Sequence, residues 1–575
     1  MRTVLSIVFL LILGPALAQD KPLNTQTVTV TRSYAPSIAP ASKILSEPGL
    51  SDSLFLKKRP VQWSRFTAPV ASTFSPAKGK AEKVQPEPPE KLYNTSVSLA
   101  AGNFTNVEAE AFTRQPLGDG RNSYALGLEH RSAQGDILDN PLPTSFSQTA
   151  LEGGLHFKGR ENTGHLLMEV QRDIYHWYGF DRDLFGPESF PESGVQQRYF
   201  TGALKGQYAD DKVAVGGGFR WFRDETGSDE SRLQFDSRFD IEIEETRVSF
   251  LPSIDWVQGQ QSVTSLREVT AASPDRYSQA QAEIAVHWSI KKKEWDLQVG
   301  GAVVYNVNAL DRDQGFSVYP RVKARYPLQK EKHYFVGEAT GGLKQNSYAQ
   351  AVAANPFVAP SLDIRPNQQQ YLVKGGLQGL IATNVTYQIG VALESNDQQA
   401  LFQLNPYNTF RTDEAYAFGN SFEWVYEDVQ RYGGYFALQW EPKEAISFRT
   451  SWQFDQYSTA SDNPAWNLPN YQGEVALSLE FLENWRLTSE LYVIGEREDL
   501  NSIVVGATVP VPGQGEPFQL EPILDLNLGV EYQWTPQWSF FLQGRNLSNQ
   551  NYTFFAQYPA QGAQLLGGAR YRFDW

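Results

Sequence analysis

Cysteine is absent from the 575 residues, methionine occurs twice, and beyond the first twenty residues no apolar run approaches the ~18 residues that a membrane helix needs. The first absence excludes disulfides, thiolate metal sites, a cysteine nucleophile and a lipid-modified cysteine. The last leaves an exported chain two forms, water-soluble or β-barrel, because only structures that close their own hydrogen bonds survive in lipid. Histidine is scarce too. His130, His156, His165, His176, His287 and His333 form no H-E-x-x-H, and neither G-x-S-x-G nor a phosphate loop occurs. The chain is therefore read as non-enzymatic, with no catalytic, cofactor or metal residues assigned. A net charge of -15 opposes nucleic acid as a partner.

What is present points outward from the cytoplasm and toward strands. The opening MRTVLSIVFLLILGPALAQD has a basic Arg2, an apolar run from Val4 to Leu13 and Ala16 and Ala18 in A-x-A relation. It reads as a signal peptide, residues 1–18, cleaved before Gln19. Residues 19–92 hold ten of the 33 prolines and read as an extended, Pro-rich N-terminal arm and linker without a full plug domain. Aromatics abound, with 34 Phe, 27 Tyr and 14 Trp beside 45 Gly. The mean hydropathy of -0.43 suits a soluble protein or a barrel with a wet lumen, since half of each barrel strand faces water.

From Tyr93 onward the apolar residues recur with period two. Val248, Phe250, Ile254 and Trp256 share one face, opposed by Arg247, Ser249, Ser253 and Asp255. The same rhythm places Ile284, Val286, Trp288 and Ile290 together, and recurs at Ile446 to Phe454, Val475 to Phe481 and Leu524 to Trp534. A soluble sandwich shares that rhythm, so strand length and loop asymmetry arbitrate. Several segments run to about ten residues, as a tilted membrane strand requires. Near the end, short connections (441–445, 482–484, 535–537) alternate with long ones (457–469, 497–522, 546–564). Short turns on one side and long loops on the other indicate an outer-membrane barrel over residues 93–575. The expected fold is an all-β, transmembrane, antiparallel barrel of about 22 strands, with 24 as the alternative. Counting back from Trp575 demands one extra crossing between Ala400 and Asp428, through ALFQLNPY. In the closing LLGGARYRFDW, Tyr571, Phe573 and Trp575 fall on the lipid face, with Trp575 at the periplasmic aromatic girdle.

Residues 523–575 resemble the last three strands of TonB-dependent receptors. GRNLSNQNY carries their Asn-Leu-x-x-x-x-Tyr pattern, and Tyr558, Pro559 and Gly562 their Tyr-Pro-x-x-Gly loop. The stretches FEWVYEDVQRYGGYFALQW and NYQGEVALSLEFLENWRLTSELYVIGERE look like barrel hairpins of that family. TRSYAPSIAPASKI is similar to a leader of plugless, receptor-like barrels of Bacteroidota. The resemblance implies an integral outer-membrane protein in contact with lipid, and a terminal aromatic strand, Tyr571, Phe573 and Trp575, read by the barrel assembly machinery. It departs at the front, where about 74 residues between Gln19 and Tyr93 replace a plug of well over a hundred. A wide lumen is normally filled. The filler is the arm, infolded loops or a partner protein.

Thr27, Val28, Thr29, Val30, Thr31 and Arg32 form a β-branched hexapeptide on a flexible tether. They are read as a candidate TonB box that adds as a strand to the edge of the periplasmic TonB partner. RDIYHWYGFDRD, residues 172–183, gathers four aromatics with His176. An interfacial girdle accounts for these rings more simply than a ligand-stacking loop. Asp224, Glu225, Asp229 and Glu230 offer oxygens to calcium but lack the spacing of a calcium loop. Three functions stay open: receptor-like substrate uptake at the cell surface, a non-transporting structural or assembly component of an outer-membrane complex, and a secreted, soluble β-rich adhesin or enzyme.

Overall fold

Twenty-two antiparallel strands close on themselves in the computed structural model. It describes residues 91–575 apart from 119, 135–136, 138–139, 182–184, 186–193, 264, 268–274, 293–294, 309–313, 330–331, 502–503 and 506–514. The signal peptide, the arm to residue 90 and the hexapeptide Thr27–Arg32 lie outside the described residues. The closure joins the first strand to the last. In β1 (Thr95–Gly102), Thr95 pairs with Phe573, Leu99 with Ala569 and Gly102 with Leu566, while the other edge of β1 pairs with β2 (Val107–Leu117).

The period-two rhythm sorts the side chains as expected. On β9 (Thr246–Gln261), Phe250, Ile254 and Trp256 point outward and stay exposed, as do Ile284 and Trp288 on β10 (Asp275–Lys292). Neighbouring strands repeat the pattern in register, so Leu233, Trp256 and Ala280 form one outward row. An apolar band of this kind is compatible only with lipid outside, and the chain is an integral outer-membrane barrel. The inner face is polar and ion-paired: Arg321 meets Glu283 at 3.0 Å, and Arg431 meets Glu394 at 2.6 Å and Asp455 at 3.1 Å.

The count of 22 holds, but the extra crossing does not. ALFQL prolongs β15 (Val385–Leu404), and the chain returns along Phe422–Lys443, a strand of 22 residues. Parity fails in the sequence because these two strands far outrun the ~9–11 residues that a tilted crossing needs. The loop asymmetry stands. Turns such as 383–384, 444–445 and 483–484 are short, whereas 345–366, 405–421, 495–522 and 546–563 are long and extracellular. At the opposite rim, Tyr571 lies 4.7 Å from Trp538 and stacks on Phe573 at 5.3 Å along the outer face. Trp575 is 70 % exposed.

Candidate functional site

The long loops bend into the extracellular mouth and pack there. One of them, 345–366, carries helix α1 (Tyr348–Ala354). YAQAVAA is rich in the best helix former. Ser347 caps it by accepting from the Gln350 N–H at 3.2 Å, and Asn355 followed by Pro356 stops it. One apolar face, with Tyr348, Ala351 and Val352, lies on lumen-facing Tyr199, Phe222, Val257 and Tyr277 of β6 (Gln196–Ala209), β7 (Val213–Asp224), β9 and β10. Two buried carboxylates latch the helix to the wall. Glu230 accepts from the Tyr348 N–H at 2.6 Å, the Tyr277 hydroxyl at 2.8 Å and Arg220 at 3.0 Å. Asp224 accepts from the Tyr348 hydroxyl at 2.8 Å. Removing a donor here would leave a buried carboxylate with part of its hydrogen bonding unmet, a costly defect.

A second core joins residues from several other loops. Trp177, Leu266, Phe357, Tyr416, Leu520, Phe555 and Tyr558 are buried against one another. Phe357 and Tyr558 stack with centroids 3.5 Å apart, and Tyr178 meets Tyr558 edge-on at 5.0 Å. Several polar side chains in and around this core find backbone partners, although the Trp177 indole N–H does not. The Tyr558 hydroxyl donates to the Asn420 carbonyl at 2.5 Å, the Asn420 amide to the Ala415 carbonyl at 2.9 Å, and the Asn408 amide to the Leu266 carbonyl at 2.9 Å. Arg267 pairs with Glu423. Asp499 ties three segments together, accepting from the Leu404 N–H at 3.0 Å, the Leu500 N–H at 2.8 Å and the Asn467 amide at 2.8 Å. Its burial outweighs these bonds and pushes its pKa up to about 6. Each fully buried aromatic contributes about 1.5–3 kcal/mol to such a core. The result is a cap of loops across the mouth.

Beneath the cap the lumen wall is open and charged. A cavity of about 690 Å³ is lined by Glu108, Glu110, Glu129, Glu490, Asp525 and Arg545, among others. Another, of about 580 Å³, is bordered by Arg325, Lys332, Tyr334 and Arg449. Acidic and basic residues thus concentrate on different arcs of the wall. At the periplasmic mouth, Lys91, Leu92 and Tyr93 share a cavity of about 540 Å³ with Phe112, Arg486 and Arg572. Lys91 pairs with Asp574 at 2.8 Å there.

One sequence expectation changes. The aromatics of 172–183 do not form a girdle, because Trp177 is 1 % exposed inside the cap core, with Tyr175 and Tyr178 packed against that core and Phe180 in a smaller cluster with Phe418. A girdle requires outward projection from a strand, and the strand has ended at His176, whose ring bonds the Ser145 carbonyl at 2.7 Å. The acidic residues of 223–230 do not converge. Asp224 and Glu230 face the lumen, Glu225 pairs with Arg198, and Asp229 accepts from Gln260. Among the described residues no group of His, Asp and Glu is placed to hold a metal. The receptor-like motif acquires a physical role, since Tyr558 is a keystone of the cap and Tyr552 donates to Asp525 at 2.9 Å. Sequence reasoning missed α1 and, though it singled out Asp224 and Glu230, missed that they latch this helix to the wall. The Ser-capped, alanine-rich SYAQAVAANP was the available signal for the helix.

Neither a protein-family model nor a curated protein sequence matches the chain. Its fold has solved counterparts. The siderophore receptor PirA from Acinetobacter baumannii aligns with a TM-score of 0.62 at 11% identity, over 84% of this chain and 81% of that one. The FrpB iron transporter from Neisseria meningitidis aligns at 0.61 and 7%, over 84% and 82%. The ferric-catecholate import receptor Fiu from E. coli K12 aligns at 0.58 and 10%, over 84% and 82%. The fold of this chain is that of the TonB-dependent outer-membrane receptor barrel.

Proposed function

We propose that this barrel is a gated uptake route of receptor type, in which a solute arriving at the cell surface displaces the loop cap and passes into the charged lumen. The observation that carries the reading is the nature of the seal. It is built from loops held to one another by ring contacts, hydrogen bonds and the Arg267–Glu423 pair, above cavities of several hundred cubic ångströms, so it can part without opening the wall. The named activities of the similar barrels, siderophore reception and iron import, support the same direction. Energy would come from TonB, recruited by strand addition along Thr27–Arg32.

A second reading, a non-transporting structural or assembly component of an outer-membrane complex, is favoured by the extent of the cap core, which joins residues from several loops into one apolar cluster. One experiment separates the two. Deleting residues 27–32 abolishes energy-dependent uptake in intact cells under the first reading. Under the second, no uptake depends on this protein, so the deletion changes none, and a stoichiometric companion protein co-purifies in mild detergent.

A further inference from the structure

The outward face of the barrel carries arginine in one sector. Following the cross-strand register, the described strand residues whose side chains point to lipid include four arginines, Arg172, Arg198, Arg223 and Arg276, all on the run from β5 (Thr163–His176) to β10. All four sit toward the extracellular ends of their strands. Arg172 and Arg223 are the direct cross-strand neighbours of Phe200, one on each side, and Arg198 stands one pleat above it on the same strand. With strands about 4.8 Å apart, the three side chains surround one ring within roughly 10 Å. The Arg172 guanidinium lies 5.8 Å from that ring centre. Arg198 pairs with Glu225 at 3.1 Å, but its Nε is buried without an acceptor. Arg172 and Arg223 are exposed.

Directly below this row the surface turns apolar. Two residues toward the membrane centre the same strands present Val170, Gly202 and Trp221, and two further Met168, Leu204 and Phe219. Gly202 leaves a shallow dent between its larger neighbours, since a Cβ there would reach only the edge of the Trp221 ring at 3.9 Å. The arginines therefore mark the extracellular boundary of the lipid band. Guanidinium groups at such a boundary bind phosphate through paired N–H donors, and the dent offers a bed for an acyl chain.

We infer that Arg172, Arg198 and Arg223, grouped around Phe200 on the outer wall, bind the phosphorylated sugar headgroup of an outer-leaflet lipid, with its acyl chains on the Val170–Gly202–Trp221 surface below. The site is independent of the lumen and of the cap. Charge complementarity and position at the top of the apolar band select this occupant over a protein partner, for which the adjoining surface is too uniformly apolar.

The test uses the full chain in mild detergent, mixed with an acylated, bis-phosphorylated glucosamine disaccharide and observed by native mass spectrometry. The parent protein is expected to retain this lipid at least tenfold more than its dephosphorylated counterpart. The pair R172Q/R223Q is expected to lose roughly tenfold of that retention, R172K/R223K only part of it, and K292Q, an outward charge at the periplasmic end, none. Heat-modifiable gel mobility checks that each variant is a closed barrel. Retention unchanged in R172Q/R223Q overturns the inference. So does complete displacement of the lipid by millimolar inorganic phosphate, which would mark a simple anion site. Should R172Q/R223Q fail to close, R223Q alone, with retention expected to fall severalfold and no fall refuting the site, takes its place.

Discussion

The indole N–H of Trp575 donates to the hydroxyl of Thr113 at 3.0 Å, reaching across β1 to fasten the last strand, Gln564–Phe573, onto β2. The same hydroxyl is 2.8 Å from that of Thr95 and accepts from the Gln115 amide at 3.2 Å, so three strands meet at one small polar knot on the outer rim. Keeping an aromatic ring but removing the indole N–H, W575F, should cost about 1 kcal/mol and lower the temperature at which the folded gel band disappears by a few degrees. W575A also removes the terminal aromatic face formed with Tyr571 and Phe573. A severalfold drop in outer-membrane yield is expected, measured by fractionation and immunoblot. Undiminished yield would end the reading of these three residues as an assembly signal.

Tyr558 holds the cap through its stack on Phe357 and its bond to the Asn420 carbonyl. Truncation to alanine should cost the cap about 3–5 kcal/mol, whereas Y558F removes only one hydrogen bond, about 1 kcal/mol. In planar bilayers Y558A is expected to conduct in long open bursts and Y558F to stay mostly closed. A silent Y558A would mean that other loop contacts suffice.

Gly179 is the sharper probe of the same contact. A Cβ at this position would lie 2.6 Å from the Tyr558 ring, which is pinned on its far side by Phe357 and has nowhere to retreat. Gly179→Ala should therefore open the cap nearly as far as Y558A, whereas Gly315→Ala should stay closed, since a Cβ there would meet nothing within 4 Å and the backbone is ordinary strand. Both would be read as bilayer conductance. Equal, closed behaviour of the two would refute tight packing at the keystone.

Asp499 gives the cap a pH dependence. Its carboxyl, buried between loops, titrates near 6 when the cap is folded and near the ordinary 3.8 when the loop is released. The folded cap thus binds the proton more readily. The stability from this group is complete below about pH 4 and is lost as pH rises through 6. A two-unit shift corresponds to something on the order of 2–3 kcal/mol. Open probability should rise between pH 5 and pH 7.5, and D499N, which never ionises, should flatten that slope. A slope that survives D499N would assign the effect elsewhere.

Most of the barrel could be read from the chain because each strand declares itself locally. Trp256 and Asp255 sit on opposite faces whatever the rest of the protein does. The strand count was within reach, yet the parity break at 400–428 was misread, since nothing in Leu401 or Leu404 says whether an apolar residue meets lipid or a folded loop. Both are buried under the cap. The cap itself was illegible for the same reason. Trp177, Phe357 and Tyr558 are separated by up to 381 residues, and no spacing rule links them. Only Ser347 and the alanines after it announced their structure in advance, through local helix chemistry.

The unequal strands give the mouth a direction. Phe422–Lys443, at about 3.3 Å per residue and tilted near 45°, climbs roughly 50 Å, while the hydrocarbon layer is only about 30 Å thick. By the same measure β1 and β2, with eight and eleven residues, climb only about 19 and 26 Å and do not rise above it. The rim is a parapet on one flank and a doorstep on the other. A body approaching along the membrane plane thus meets about 20 Å of standing strand on the tall flank, and only loops beside the seam.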